Sequence, residues 1–331
     1  MILRLLLARG ASLIAILFVL SFVVFALQVL IPSDPARALL GASATRDAVA
    51  RKRAQLGLDQ PVPVQYEKFL VRVIHGDLGE SLRSRRPVSK DLRQFGPATA
   101  ELALVSAVLA GILGVTVGVL GARGGKLARV ARLVLAAGAS LPPFLIAILS
   151  ILVFYRDLGW LPASGRIGAT GPAGPTHFLL IDTLVHLDIS GFRDASEHLI
   201  LPAFCLAIGP AVAIARTLRA SLLAVLEQDY VRTARAKGIS EAAVVLKHGL
   251  RNAINAPLTM AGLQAGLLLS GVVVVEEIFA RPGLGTYTVQ AIQYADFPAI
   301  AGVTFVLCGA YVLVNFAVDV AQAMADPRIR A

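Results

Sequence analysis

The stretch DYVRTARAKGISEAAVVLKHGLRNA, Asp229 to Ala253, decides how this chain is read. Together with Glu227 it carries Asp229, Arg232, Arg235, Lys237, Glu241, Lys247 and Arg251, and long apolar blocks stand on both sides of it. Holding those charges near mid-bilayer, at about 2.5–3.5 kcal/mol each, would cost on the order of 20 kcal/mol. The segment therefore belongs in water. Its pattern predicts a helix, a break and a second helix. DYVRTARAK is free of proline and rich in helix formers, and Gly238 suits a left-handed terminus. Ser240 is placed to cap EAAVVLKHGLRN, and Pro257 leads into the next block. Such a segment is either a plain basic loop or a short lever fixed to two membrane spans. These residues alone leave both readings open.

The flanking blocks set the class. Of 331 residues, 56% are hydrophobic and 16% charged, whereas a soluble domain carries about a quarter charged residues. Apolar blocks lie at 11–31, 98–121, 133–154, 199–219, 257–276 and 298–318. Each is near the roughly 20 residues that a helix needs to cross a bilayer core. The first is too long for a signal-peptide core of about 7–15 residues, so it reads as an uncleaved span. Pro142, Pro143 and Pro210 inside the blocks predict kinks.

Six spans put both termini on one side, and charge says which. Residues 122–132 carry Arg123, Lys126, Arg129 and Arg132 with no acid, whereas 157–197 is rich in aspartate. The basic loops and both termini are expected in the cytoplasm. The net charge of +10, which in a soluble chain would suggest nucleic acid, goes here with those loops. Residues 32–97 are also basic but fall outside by this count; long loops translocate largely regardless of charge. Within them, Thr45 and Gly57 frame one expected helix, and QYEKFLVRVIHG reads as a second ending at Gly76. Cys205 and Cys308 lie inside apolar blocks and read as small hydrophobes.

TARAKGIS followed by LKHGLRNAINAPLT resembles the cytoplasmic loop of ATP-binding-cassette (ABC) importer permeases of the dipeptide/oligopeptide/nickel branch. LGLDQPVPVQYEKFL, GDLGESLRSRRPV (Gly76–Val88), EEIFARPGLGTYTVQAIQYADFP (Glu276–Pro298) and DPRIR (Asp326–Arg330) resemble the same branch, in the same order. The general importer motif is only partly kept: Ala234, Gly238 and Leu250 match it, while Arg232 and Thr233 replace its first residues and His248 and Arg251 depart further on. The literal EAA at Glu241–Ala243 is a decoy, because Gly238 precedes it. The resemblance implies that Asp229, Tyr230, Arg232, Thr233, Ala234, Arg235, Lys237 and Gly238 form the contact with an ATPase. It also implies a second permease subunit in a heterodimer, two ATPase subunits, an extracytoplasmic solute-binding protein and a place in the bacterial inner membrane. The long first loop points to the first of the two permeases.

Several chemistries lack their residues. Gly125-Lys126 has neither the upstream glycine nor the following Ser/Thr of a phosphate loop, so ATP and magnesium belong to a partner and no cofactor is expected here. The histidines show no metal-ligand spacing. Few acids interrupt the spans, which argues against a proton relay. Glu276 and Glu277 are either acids at the outer membrane edge, solvated or paired with Arg281, or one of them faces the pathway and meets a peptide amine. Gln264 lines a channel or bonds a neighbouring helix; Pro282, Gly283 and Gly285 form a gate or a connecting turn. Gly114 and Gly118, and Gly262, Gly266 and Ser270, allow close helix contact, fixed or sliding.

The expectation is an all-α polytopic membrane protein with six transmembrane helices and a type I ABC importer permease fold. Residues 1–31 form a tail and first span, 32–97 an extracytoplasmic loop domain, 98–320 the core with a coupling loop at about 220–256, and 321–331 a cytoplasmic tail. Its function would be import of peptides or related small solutes in a lipid membrane. The rival is an ATPase-independent channel or an intramembrane enzyme, which has no need of the 229–253 segment.

Overall fold

The apolar blocks become helices that outrun them. The structure, a computed structural model, describes residues 2–30, 35–40, 44–168, 174 and 176–325. In chain order the helices are α1 (Ile2–Leu30), α2 (Pro35–Leu40), α3 (Arg46–Leu56), α4 (Val62–Ile74), α5 (Val88–Arg123), α6 (Lys126–Ala139) and α7 (Pro143–Ser150, continued by a π-helical turn at Ile151–Asp157). Then come α8 (Leu179–Val185), α9 (Ile189–Leu226), α10 (Asp229–Ala236), α11 (Glu241–Ala243), a π-helical turn at Val244–Leu250, α12 (Arg251–Ala253), α13 (Asn255–Ile278), α14 (Leu284–Gln293) and α15 (Phe297–Ala325). Among the described residues the only extended pairing found is an isolated bridge between Glu80 and Pro87.

Five of these helices are long and apolar enough to cross a membrane: α1, α5, α9, α13 and α15. The block at 133–154 is not one continuous helix. It stops at Ala139 and restarts at Pro143. Neither Pro142 nor Pro143 has an N–H to donate, and each pushes its predecessor toward extended backbone. Pro142 sits at φ −59°, ψ 143°, which breaks the helix and starts α7. Where a kink was expected there is an interruption. In α9, by contrast, Pro202 and Pro210 are absorbed within one 38-residue helix.

The chain divides into two compact units, Met1–Phe95 with Tyr287–Ala310, and Gly96–Thr286 with Tyr311–Ala331. In the first, Val24, Phe25, Phe69 and Ala301 form an apolar centre against Leu20, Tyr66, Val73 and Phe305. Tyr66 of α4 meets the rings of Phe18, Phe22 and Phe25 on α1, and its hydroxyl lies 2.9 Å from Ser21 Oγ. Thr45 accepts the Ala48 N–H and Gly57 closes α3 at φ 69°, as its sequence predicts.

The segment 76–88 is held by buried acids of the same unit. Asp296, fully buried, accepts from Ser81 Oγ at 2.5 Å and from the Arg83 N–H at 3.2 Å. Asp91 accepts from Ser84 Oγ at 2.6 Å, Arg86 at 2.5 Å and the Tyr287 hydroxyl at 3.1 Å. A buried carboxylate without donors is costly, so these bonds fix the loop where it lies.

In the second unit α9 is the axis. In its most apolar window 67% of residues are buried, against 39% for α5 and 22% for α13. Leu199, Leu201, Leu206 and Ile208 of α9 pack with Leu102 of α5, Ile146 of α7, and Leu268, Val272 and Val275 of α13. A Cβ at Gly114 or Gly118 would lie 2.7 Å from Ile214 or 3.0 Å from Leu218, so α5 runs close along α9 because it has no side chain there. Gly262 faces Val318 and Asn315, and Gly266 faces Tyr311, in the same way.

Candidate functional site

The charged segment that follows α9 folds as a capped lever. α10 buries Val231 and Ala234, three residues apart on one face, against Val244, with Leu226 and Ile239 beside them. The opposite face carries Asp229, Tyr230, Arg232, Thr233 and Lys237 into solvent. After Lys237, Gly238 turns left-handed at φ 78°. Its N–H bonds the Arg235 carbonyl at 2.9 Å, and the Ile239 N–H bonds the Ala234 carbonyl at 3.3 Å. That paired closure, with Ile239 packed on Ala234, is the Schellman terminus that a glycine at this position favours. No atom lies within 4 Å of where a Cβ on Gly238 would sit, so its role is conformational rather than steric.

The return strand of the lever is one helical run from Glu241 to Ala253, with a π-helical turn at its centre. Ser240 occupies the capping position but makes no side-chain cap bond. Glu241 instead reaches back to α10: Arg235 donates to it twice, at 3.0 and 2.8 Å, and a third time to the Leu226 carbonyl at 3.3 Å. The Arg235 guanidinium holds the Glu241 carboxyl below the usual glutamate range. Asn252 donates to the Tyr230 hydroxyl at 3.1 Å. Val245 and Ala253 join Leu218 and Leu222 of α9 and Val119 of α5 in a second apolar cluster. A Cβ on Gly249 would lie 2.7 Å from Leu222. The segment is thus packed on α9 and α5 and runs on directly into α13.

The sequence-derived contact residues separate into groups. Asp229 and Arg232 are open to solvent, 97% and 72% exposed, with a loose 3.5 Å pairing. Tyr230 and Lys237 are also outward. Thr233 donates to the Asp229 carbonyl at 3.0 Å. Ala234 faces inward, Arg235 is tied to Glu241, and Gly238 shapes the turn.

The other end of α13, about 36 Å away at 1.5 Å per residue, holds the second group. Glu276 is fully buried. Thr99 Oγ1 donates to it at 2.6 Å and the Gly285 N–H at 2.7 Å, while Thr99 also accepts the Leu284 N–H at 2.7 Å. The chain therefore folds back over the carboxylate. A Cβ on Gly283 would collide with that carboxylate, and one on Gly285 would come within 2.6 Å of Val273 Cα. Glu277, one residue on, is exposed, as is Pro282. Gln264 is half-buried and lies 3.7 Å from the Met260 sulfur.

A neighbouring carboxylate, Glu101, ties three segments together within the same unit. It accepts from the Leu180 N–H at 2.9 Å, from Arg166 at 2.7 Å and from Arg281 at 3.3 Å. Arg166 also donates to the His177 carbonyl at 2.7 Å. Burial pushes the Arg281 guanidinium down to about 10, and the nearby Arg166 charge acts the same way. The sequence shows these charges but not that Glu101 would gather them; its one signal is an acid inside an otherwise apolar block. The C-terminal DPRIR lies outside the described residues.

Comparison with known proteins agrees with this architecture. The family described as binding-protein-dependent transport system inner membrane component matches residues 114–331, and the N-terminal part of such membrane components matches residues 2–103. The di/tripeptide transport system permease protein DppB of Pseudomonas aeruginosa is 40% identical, with 97% of each chain covered. The dipeptide transport system permease protein DppB of Alkalihalophilus pseudofirmus is 37% identical over 97% of this chain and 98% of that one. The glutathione transport system permease protein GsiC of Salmonella choleraesuis is 38% identical over 98% of both. In structure, an inward-facing form of the MetNI methionine ABC transporter superposes with a TM-score of 0.53 at 19% identity, covering 71% of this chain and 96% of that one. The long loop-bearing N-terminal part, the α9-centred core and these likenesses converge: the chain belongs to the inner membrane components of binding-protein-dependent transport systems, the permease subunits of ABC importers.

Proposed function

We propose that this permease imports di- or oligopeptides or closely related small solutes, glutathione among them, and that α10 is where the energy of ATP enters it. The relatives' names give the solute class. The observation that supports the mechanical reading is the lever: a solvent-facing helix, terminated at Gly238, whose apolar face packs on Val244 of a return segment that is itself packed on α9. ATP and magnesium belong to two partner ATPase subunits, which press on Asp229, Tyr230, Arg232 and Lys237. A second permease chain completes the pathway, and a solute-binding protein delivers the cargo on the opposite face. The lever and both termini lie in the cytoplasm. Closing of the ATPase dimer then biases two states of the α9–α13 pair, a reciprocal coupling of nucleotide and solute sites. An ATPase-independent channel or intramembrane enzyme is not favoured, because the full-length relatives are transport-system permeases.

The test is solute-dependent ATP hydrolysis by the purified complex in bilayers. A binding protein loaded with dipeptide, tripeptide or glutathione is expected to stimulate hydrolysis above the empty binding protein. If this chain purifies as a lone homo-oligomer that conducts solute without an ATPase, the proposal is wrong.

A further inference from the structure

We infer that the cavity between α6 and α9 is a binding site for the phosphate headgroup of an anionic phospholipid. The cavity has a volume of about 400 Å³, within the range of small-ligand clefts of about 300–1,000 Å³. Arg129 and Arg132 line it from α6, and Arg216 and Arg219 from α9; no acid is among its lining residues. Guanidinium groups stay charged at any physiological pH. Arg132 and Arg219 are half-buried, while Arg129 and Arg216 are exposed at the mouth of the cavity; an anion there would offset the several kcal/mol that cationic charge beside hydrocarbon costs.

Two of the four are aimed by the backbone. Arg132 Nε donates to the Ala128 carbonyl and Arg219 Nε to the Gly121 carbonyl, each at 3.2 Å, which leaves their terminal nitrogens for another acceptor. The two side chains converge on the same place: a Cβ on Gly121 would lie 3.2 Å from Arg219 Cδ and 3.3 Å from Arg132 Cδ. Small residue size at Gly121 is what lets them meet.

The polarity of the cavity favours a lipid over a soluble anion. Arg129 sits in the first turn of α6 with Arg132 one turn on, and Arg216 and Arg219 lie in the last three turns of α9, the end that leads into the lever, while Ala136 of α6 and Val212 of α9 line the cavity about one turn farther from those ends. Leu133 remains 64% exposed. A cationic mouth followed by an apolar wall matches a headgroup followed by an acyl chain. Basic pockets between spans on the cytoplasmic side bind anionic headgroups by this logic. The leaflet assignment rests on the cytoplasmic placement of the lever proposed above; the cation cluster itself does not.

The experiment uses the whole importer complex, purified in detergent and exchanged into nanodiscs of phosphatidylcholine with or without phosphatidylglycerol. Native mass spectrometry counts the phosphatidylglycerol retained by wild type, by R132Q/R219Q and by R132K/R219K. Retention is expected in wild type, a loss on the order of tenfold in the glutamine pair, and substantial recovery in the lysine pair. Inorganic phosphate should not displace the lipid. Equal retention in wild type and the glutamine pair overturns the site. Displacement by inorganic phosphate shows a free-anion site and overturns the lipid assignment. Wild type with the cavity covered by an acidic segment of the second permease, and no lipid there, overturns it as well. Solute-stimulated ATP hydrolysis measured on the same samples reports separately on the transport reading, so either conclusion can fail alone.

Discussion

Glu101 and Glu277 show how far a single residue can be read. Both are acids at the ends of apolar blocks, and the sequence treats them alike. In the structure Glu101 is buried and answers two arginines and a backbone N–H, whereas Glu277 is exposed. The difference comes from residues 65 and 180 positions away, which no local pattern encodes. Glu276 is the same case: RPGLG reads correctly as a turn, but the reason for both glycines is the carboxylate beneath them. Removing one partner of a buried pair costs about 3–5 kcal/mol, and exposed substitutions about 0.5 kcal/mol or less. Glu101→Gln should therefore lower the unfolding temperature of the purified complex clearly, while Glu277→Gln leaves it nearly unchanged. Equal effects would mean that the Glu101 cluster does not brace the fold. Gly285→Leu should resemble Glu101→Gln, since overpacking at such a contact costs about 1–3 kcal/mol.

Elements were legible where their signals are local. The caps at Thr45, Gly57 and Gly238 were written in the sequence and stand in the structure. Ser240 stands at the capping position without making the cap bond, and the break is bridged by the Arg235–Glu241 pair, six residues apart. In the 133–154 block hydropathy locates the apolar segment but not its break, because it is blind to the two missing donors at Pro142 and Pro143 that end a helix. For the lever two outcomes follow. Gly238→Pro should leave the protein in the membrane and abolish solute uptake in cells, because proline cannot adopt a positive φ; normal uptake would remove the lever from the mechanism. Arg235→Glu should raise hydrogen exchange across 229–241 by a few fold, since an exposed pair contributes about 1 kcal/mol or less, and Arg235→Glu with Glu241→Arg should restore it. Arg235 lowers the folded Glu241 pKa, so the pair stabilises at neutral pH and its contribution fades as pH falls below the ordinary glutamate range. Exchange that ignores both the swap and acid would show that the pair holds nothing.

At the scale of the molecule, composition and block length carried the class: a helical, multi-span membrane protein. The resemblance in ordered motifs carried the family, and the full-length relatives agree. What stayed hidden was the assembly of distant pieces, such as Ser81 on Asp296 or the partners on α9, Ile214 and Leu218, that the glycine-lined side of α5 meets. In the proposed mechanism α10 works on the cytoplasmic face, where an ATPase can press on it. The most direct measurement is labelling of Lys237→Cys with a membrane-impermeant maleimide, against the background of the two native cysteines. Labelling only in inverted membrane vesicles, with protection when the ATPase subunits are bound, is the expected result. Labelling from outside intact spheroplasts would put the lever on the wrong side of the membrane and contradict the account.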